Sequence, residues 1–265
     1  SSTRQSLASA KQALQPLLAK ADLAFASQLF AVSGAVASSA QLRSLLSDPS
    51  AEVNAKSGAV AAVFGKSTSA DVLGFVTSLV ALRWSKGSDL VSAIEQLGVY
   101  VIANLAAKTG TVDALAAEVF AFQQAIDESM ELQFALASKT ASTEARLTLV
   151  DKLLAGNASA EGAALIRAAV VASGKRRTSL VLDSYSKIIA QVAESLVAKV
   201  TVAKDLSSAQ VERLAAVLAK TYGTGVKLNI EHDASVIVGI RVQIADQIID
   251  GSVVARLNQA KLSLA

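Results

Sequence analysis

His232-Asp233 is the one place where an imidazole stands beside a carboxylate, the pairing that general acid–base work requires, and His232 is the chain's only histidine. No Ser or Cys nucleophile context accompanies it. It falls at the turn ending a predicted strand, so an exposed structural role is expected. Gly65-Lys66-Ser67 ends like a phosphate-binding loop. That cradle needs glycine at 60, where Val60 stands, and a strand before it, where the pattern predicts a helix. No cysteine and a single methionine occur, which removes thiolate nucleophiles, disulfides and zinc clusters together. No carboxylate pair is spaced as an active site. Catalytic, cofactor-binding and metal-binding residues are therefore all expected to be none.

Two further features could make contacts. Trp84, the only tryptophan, reads as a packed anchor between helices. Lys175-Arg176-Arg177 is the densest basic cluster and reads as an exposed turn between helices, with contact to an acidic partner helix as the alternative. The 25 basic residues are interleaved with 22 acidic ones, giving a net charge of +3. That is a mildly basic surface without a nucleic-acid stripe.

The elements carrying these residues follow from composition and spacing. The chain has 265 residues, 52% of them hydrophobic but only 4% aromatic, so cores must be built from close-packed Ala, Val and Leu on helices. No uninterrupted apolar run reaches membrane-spanning length. Ser1-Ser2-Thr3-Arg4 leads into a polar helix and not a signal peptide, and nothing is expected to target the chain out of the cytoplasm. Leu7, Leu14 and Leu18 make a first amphipathic helix that Pro16 is expected to kink.

Sliding the chain on itself by ninety residues reveals an internal repeat. Phe25, Leu29, Phe30, Val32 and Val36 fall on Leu115, Val119, Phe120, Phe122 and Ile126 without a gap. The same offset places Lys56 on Arg146, Phe75-Val76 on Leu165-Ile166 and Leu90-Val91 on Leu180-Val181. Each copy reads as a bundle of five or six short helices, broken at Asp48-Pro49-Ser50, Gly65 to Ser69 and Lys86 to Asp89, and at Ser138 to Ser142, Gly156 to Ser159 and Gly174. Lys108-Thr109-Gly110-Thr111 separates the copies.

Downstream the period changes. Asp183 to Leu196 continues a helix, and Val197 to Val202 is a β-branched alternating run. Ser207 and Gln210 form a capping box for a helix whose core face is Val211, Leu214, Val217 and Leu218. Val226 to Ile230 is the next strand. Between Ile230 and Ala265, two β-rich runs meet at Asp246-Gln247 and pass through Asp250-Gly251-Ser252 into an amphipathic helix. The fold class is mainly α with a small C-terminal α/β domain: bundles at 1–108 and 109–196, then a mixed sheet packed with helices at 197–265.

The segment from Ile230 to Ala265 resembles the C-terminal signature of the delta subunit of F-type ATP synthases, the oligomycin-sensitivity-conferring protein family. Gly239, Arg241, Asp246, Asp250, Gly251 and Ser252 carry the likeness. The family's Pro after the acidic turn, its Gly pair and the Gly before the hairpin Asp are replaced by Ala234, Val238-Gly239 and Ala245. The duplicated bundle resembles the extended form found in high-GC Gram-positive bacteria, and Arg83-Trp84-Ser85 with Asp89-Leu90 is similar to a run of that branch.

The resemblance implies a non-catalytic stator subunit of the proton-translocating complex, without cofactor, at the cytoplasmic face of the bacterial plasma membrane. It implies that a helical bundle grips N-terminal segments of the alpha subunits and that the C-terminal domain holds the end of the b stalk. The second bundle is expected to carry the alpha groove, because it alone connects directly to the C-terminal domain. Candidate groove residues are Leu115, Val119, Phe122, Leu165, Ile166 and Ala169, taken from its first and fifth helices. The b stalk is expected on what the sheet leaves free of Val211, Leu214 and Leu218, or on Val253, Leu257 and Leu262. Asp250 is expected to act as a cap or hairpin-end anchor. The alternatives are a free-standing helical-repeat adaptor, against which the Asp-Gly-Ser signature speaks, and an enzyme, for which no constellation exists.

Overall fold

In the computed structural model the described residues are 1–174, 176–223, 226–236 and 239–244, together with the backbone of 247–250. The helices in chain order are α1 (Ser2–Leu18), α2 (Leu23–Ser38), α3 (Ala40–Ser47), α4 (Val53–Phe64), α5 (Ala70–Val80), α6 (Gly87–Lys108), α7 (Val112–Glu128), α8 (Met130–Ala137), α9 (Thr143–Leu154), α10 (Ala160–Ser173), α11 (Thr178–Ser195) and α12 (Ser208–Tyr222). The strands are β1 (Val197–Val202), β2 (Lys227–His232), β3 (Ile240–Ile244) and β4 (Gln247–Asp250). The protein is mainly α with a small α/β part near the C-terminus. One compact unit comprises Ser1–Leu105 with Leu115–Ile188, and a second takes Ala106–Ala114 with the described residues from Ile189 onward.

The repeat is legible atom by atom. Helices α2 to α6 form one copy and α7 to α11 the next, and the bounds of α3 and α8, and of α4 and α9, differ by ninety residues at both ends. Ser39 caps α3 by accepting from the Leu42 amide, as Ser129 caps α8 by accepting from that of Leu132. Ser69 and Ser159 cap α5 and α10 in the same way. A tertiary contact is repeated too. The Ser69 amide donates to Gln28 Oε1 at 2.8 Å, and the Ser159 amide donates to Glu118 Oε1 at 3.1 Å. Glu118 also accepts from the Ser159 hydroxyl, and its Oε2 occupies the space that a Cβ at Gly162 would need. The first copy has Val72 at that position.

The repeat also places a cation at equivalent positions, Lys56 buried and Arg146 half-buried. Lys56 donates to the Val80 carbonyl at the end of α5, while its counterpart Arg146 donates to the Leu136 carbonyl at the end of α8. A positive charge at unpaired carbonyls suits the negative end of a helix. Trp84 is buried and donates from Nε1 to the Leu79 carbonyl at 2.8 Å, the anchor its sequence context suggests. In α1, Leu14 and Leu18 are buried, and the helix runs two residues past Pro16 before ending. Helix α6 is long and apolar enough to cross a membrane by length and composition, although no uninterrupted run suggests it. With 67% of its apolar window buried inside the protein, it has the character of a core helix.

The second unit is built on a four-stranded sheet of order β2-β1-β3-β4, with β1 parallel to β2 and antiparallel to β3, and β3 antiparallel to β4. Alternation puts Ala198, Val200 and Val202 of β1 and Val242 and Ile244 of β3 on one face, where Leu214 and Leu218 of α12 complete the core. The other face carries Lys199, Arg241, Gln243 and Glu231, with Lys199 and Glu231 paired at 3.1 Å. Ser207 and Gln210 make the reciprocal capping box at the start of α12. Ser207→Ala is expected to cost about 1 kcal/mol, read as roughly fivefold faster hydrogen exchange of the α12 amides.

Candidate partner-binding surfaces

The six residues expected to line a groove in the second bundle are all buried. Leu115, Val119 and Phe122 lie on α7, and Leu165, Ile166 and Ala169 on α10. Each copy contains five helices, so α10 is the fourth of its copy and not the fifth, because each break in the pattern is a single loop. These side chains hold the bundle together from within.

The apolar groups that reach water stand elsewhere on the same helices. Phe120 on α7 is 57% exposed and Leu180 on α11 is 62% exposed. Gln123 Nε2 donates to the Ser179 carbonyl at 3.2 Å, so α7 and α11 are neighbours where these residues lie. Met130 and Phe134 on α8 are more exposed still, at 70% and 71%. Sequence reading missed all four. Their counterparts differ in two ways: Phe30 and Leu90 are the same residue types but are half-buried and buried, whereas Ala40 and Ser44 are chemically different.

Where the copies meet, Glu95 of α6 is buried. It accepts a hydrogen bond from the Tyr185 hydroxyl at 2.7 Å and pairs with Arg176 at 3.3 Å. Tyr185 also stacks against Phe30, with ring centroids 6.5 Å apart. Burial, and then the neighbouring Glu95 carboxylate, push the Tyr185 hydroxyl pKa far above its ordinary value. Arg176 of the basic cluster is thus engaged within the chain, while Lys175 lies outside the described residues.

Residues that suggested chemistry are accounted for locally. His232 ends β2 and its Nε2 pairs with the Asp205 carboxylate, both side chains being exposed. Asp233 accepts from the Ser235 amide and hydroxyl, which hold its carboxyl below the usual range. Gly65-Lys66-Ser67 follows helix α4, not a strand. No group of three or more His, Asp and Glu side chains among the described residues is placed to hold a metal ion.

Of the expected b-stalk residues, Leu214 and Leu218 belong to the sheet core and Val211 is half-buried. Val253, Leu257 and Leu262 lie outside the described residues, as do Asp246, Gly251 and Ser252. Gly239 adopts φ +84°, which only glycine takes up without strain, and Arg241 sits exposed on β3, paired in register with Asp250. The side chain of Asp250 lies outside the described residues.

Residues 100–264 match the family model described as ATP synthase delta (OSCP) subunit. The chain belongs to the ATP synthase delta (OSCP) family. "ATP synthase subunit delta" of Leifsonia xyli is 41% identical over 265 residues, covering 100% of this chain and 99% of the relative. The Kineococcus radiotolerans delta subunit is 37% identical, with 99% of this chain and 96% of the relative covered. That of Streptomyces avermitilis is 34% identical, with 99% and 97% covered. The family model begins within α6, whereas the relatives match along the whole chain. The first copy is therefore shared by delta subunits of this kind, ahead of the segment that the family model describes.

Proposed function

We propose that this chain is a non-catalytic peripheral-stalk subunit of an F-type ATP synthase. It would join the alpha subunits of the catalytic head to the b stalk, so that torque from the rotating shaft is resisted and proton flow stays coupled to ATP synthesis. The observation that carries this reading is whole-length similarity to proteins named ATP synthase subunit delta. Such a protein works at the cytoplasmic face of the bacterial plasma membrane, held there through its complex. Its work is attachment, and several modest apolar contacts in series give an attachment that rarely releases.

The segments 1–108, 109–196 and 197–265 are proposed as the working modules, with the second holding an alpha N-terminal segment. Leu115, Val119, Phe122, Leu165, Ile166 and Ala169 serve this role as the packed floor. Phe120 and Leu180, exposed on adjoining α7 and α11, offer the contact itself. A charge at buried Val119 would unfold the bundle before it reported on binding, so it makes a poor test. Replacing Phe120 and Leu180 together by Asp is expected to weaken binding of an alpha N-terminal peptide at least about tenfold, with the melting temperature unchanged. The b end is assigned to the C-terminal module, on Val211 beside the core pair Leu214 and Leu218, or on Val253, Leu257 and Leu262.

Native membranes carrying a tagged chain test the whole reading. Alpha and b subunits should co-purify with it, and their absence would leave a free-standing adaptor.

A further inference from the structure

Helix α1 stands ahead of the first copy, and the ninety-residue offset gives it a counterpart. Moved forward by ninety, Ser2–Leu18 covers 92–108, the closing part of α6, and the two helices end at equivalent residues, Leu18 and Lys108. Moved back by ninety, Thr178–Ser195 covers 88–105, which is α6 again. Helices α1, α6 and α11 are thus one element of the repeat, met three times. Helix α6 closes the first copy as α11 closes the second, and it opens the second copy as α1 opens the first.

The contacts repeat with the element. At its start α1 reaches the turn leading into α6, where Thr3 donates to Asp89 at 2.8 Å and Ser6 donates to the Arg83 carbonyl. Glu95, the counterpart of Gln5, reaches the matching turn leading into α11, where it pairs with Arg176, the counterpart of Lys86. Burial differs as a shared helix requires. Helix α1 buries a single face, Ser6, Ala10, Leu14 and Leu18, spaced four residues apart. Helix α6 buries Leu90, Ile94 and Val101 on one side and Val99 and Ala103 on the opposite side, so it is packed from both.

We infer that α6 is a core helix common to both bundles, so that the two copies form one stiff arm without a joint at Lys108-Thr109-Gly110-Thr111. Both copies lie in one compact unit, and Ala106–Ala114, the chain's passage from one copy to the next, is not part of it. The copies are therefore joined through packed helix and not through that passage. A segment starting at 109 lacks the helix that does for the second copy what α1 does for the first. The arm is a property of the chain alone, whatever the chain attaches to.

Three measurements on the full chain test this. Ile102, fully buried in α6, is the first site. I102A should speed amide exchange in α4 and in α9 alike, each at least about fivefold. Val60 and Val150 are repeat counterparts and both are fully buried, while Trp84, the only tryptophan, reports the first copy by fluorescence. V60A and V150A should lower its denaturation midpoint by shifts within about a factor of two of each other, as one cooperative body demands. The chain has no cysteine, so K66C with K152C puts one spin label on the exposed surface of each copy. Their separation should show one narrow distribution, unchanged when Gly-Gly-Ser is inserted between Thr109 and Gly110.

Faster exchange in only one copy after I102A would overturn the inference. So would a Trp84 midpoint that V60A lowers and V150A leaves alone. A broad label separation, or one that broadens with the insertion, would put a joint between the copies and overturn it equally.

Discussion

Replacing Tyr185 by Ala is expected to destabilise the helical unit by about 3–5 kcal/mol, the usual range for deleting a large buried aromatic. The ring is fully buried, stacks on Phe30 and donates to the buried Glu95 carboxylate. Tyr185→Phe keeps the ring and removes only the donor, at a cost of about 1.5–3 kcal/mol for a hydrogen bond to a charged group. The Phe variant also carries a pH signature. Because the hydroxyl pKa is raised in the fold, the stabilisation is complete below the unfolded value near 10. It is lost as pH rises past that value, since the unfolded chain then releases a proton that the folded one retains. Denaturation midpoints of wild type and Y185F between pH 9 and 11, a range chosen about the unfolded tyrosine value, should therefore converge as pH rises. A constant gap across that range would refute the linkage.

The other large effect concerns the b stalk. A chain ending at Leu196 lacks the whole sheet and α12, and it is expected to lose at least about a hundredfold in affinity for a b C-terminal peptide. Its binding of an alpha N-terminal peptide should persist, because α7 to α11 remain. Calorimetry with both peptides on full and shortened chains separates the two contacts. Full b affinity in the shortened chain would move that site to the helical bundles.

Much of the architecture was legible because local signals agreed. The Ser207–Gln210 box, the alternation from Val197 to Val202 and the ninety-residue offset each state a geometry in residue types alone, and the fold follows them. Partner surfaces were not legible for a physical reason. Periodicity finds the face of a helix that packs, so it selected Leu115, Val119 and Phe122, which are interior. Which apolar residues remain outside depends on neighbours far away in sequence. Phe30 and Phe120 are the same residue at the same place in the repeat, and only the tertiary context half-covers one of them. Met130 and Phe134 did leave a trace, in the polarity difference from Ala40 and Ser44. The Glu95–Tyr185 bond left none, since nothing local joins residues in different copies.

The pairing of Glu118 with Gly162 bears on how the two copies drifted apart. Where the first copy has Gln28 and Val72, the second has a carboxylate filling the space that a side chain at 162 would occupy. Neither change is independent of the other. Introducing Val at 162 while Glu118 remains drives a methyl group into a carboxylate that already holds the start of α10. Reverting Glu118 alone removes the charge favoured at that helix end while leaving a glycine that weakens the helix. The two positions are therefore coupled: a side chain at 162 displaces the Glu118 carboxylate from the Ser159 amide and hydroxyl that it holds. Segments exchanged between the copies today should be tolerated only when both positions travel together.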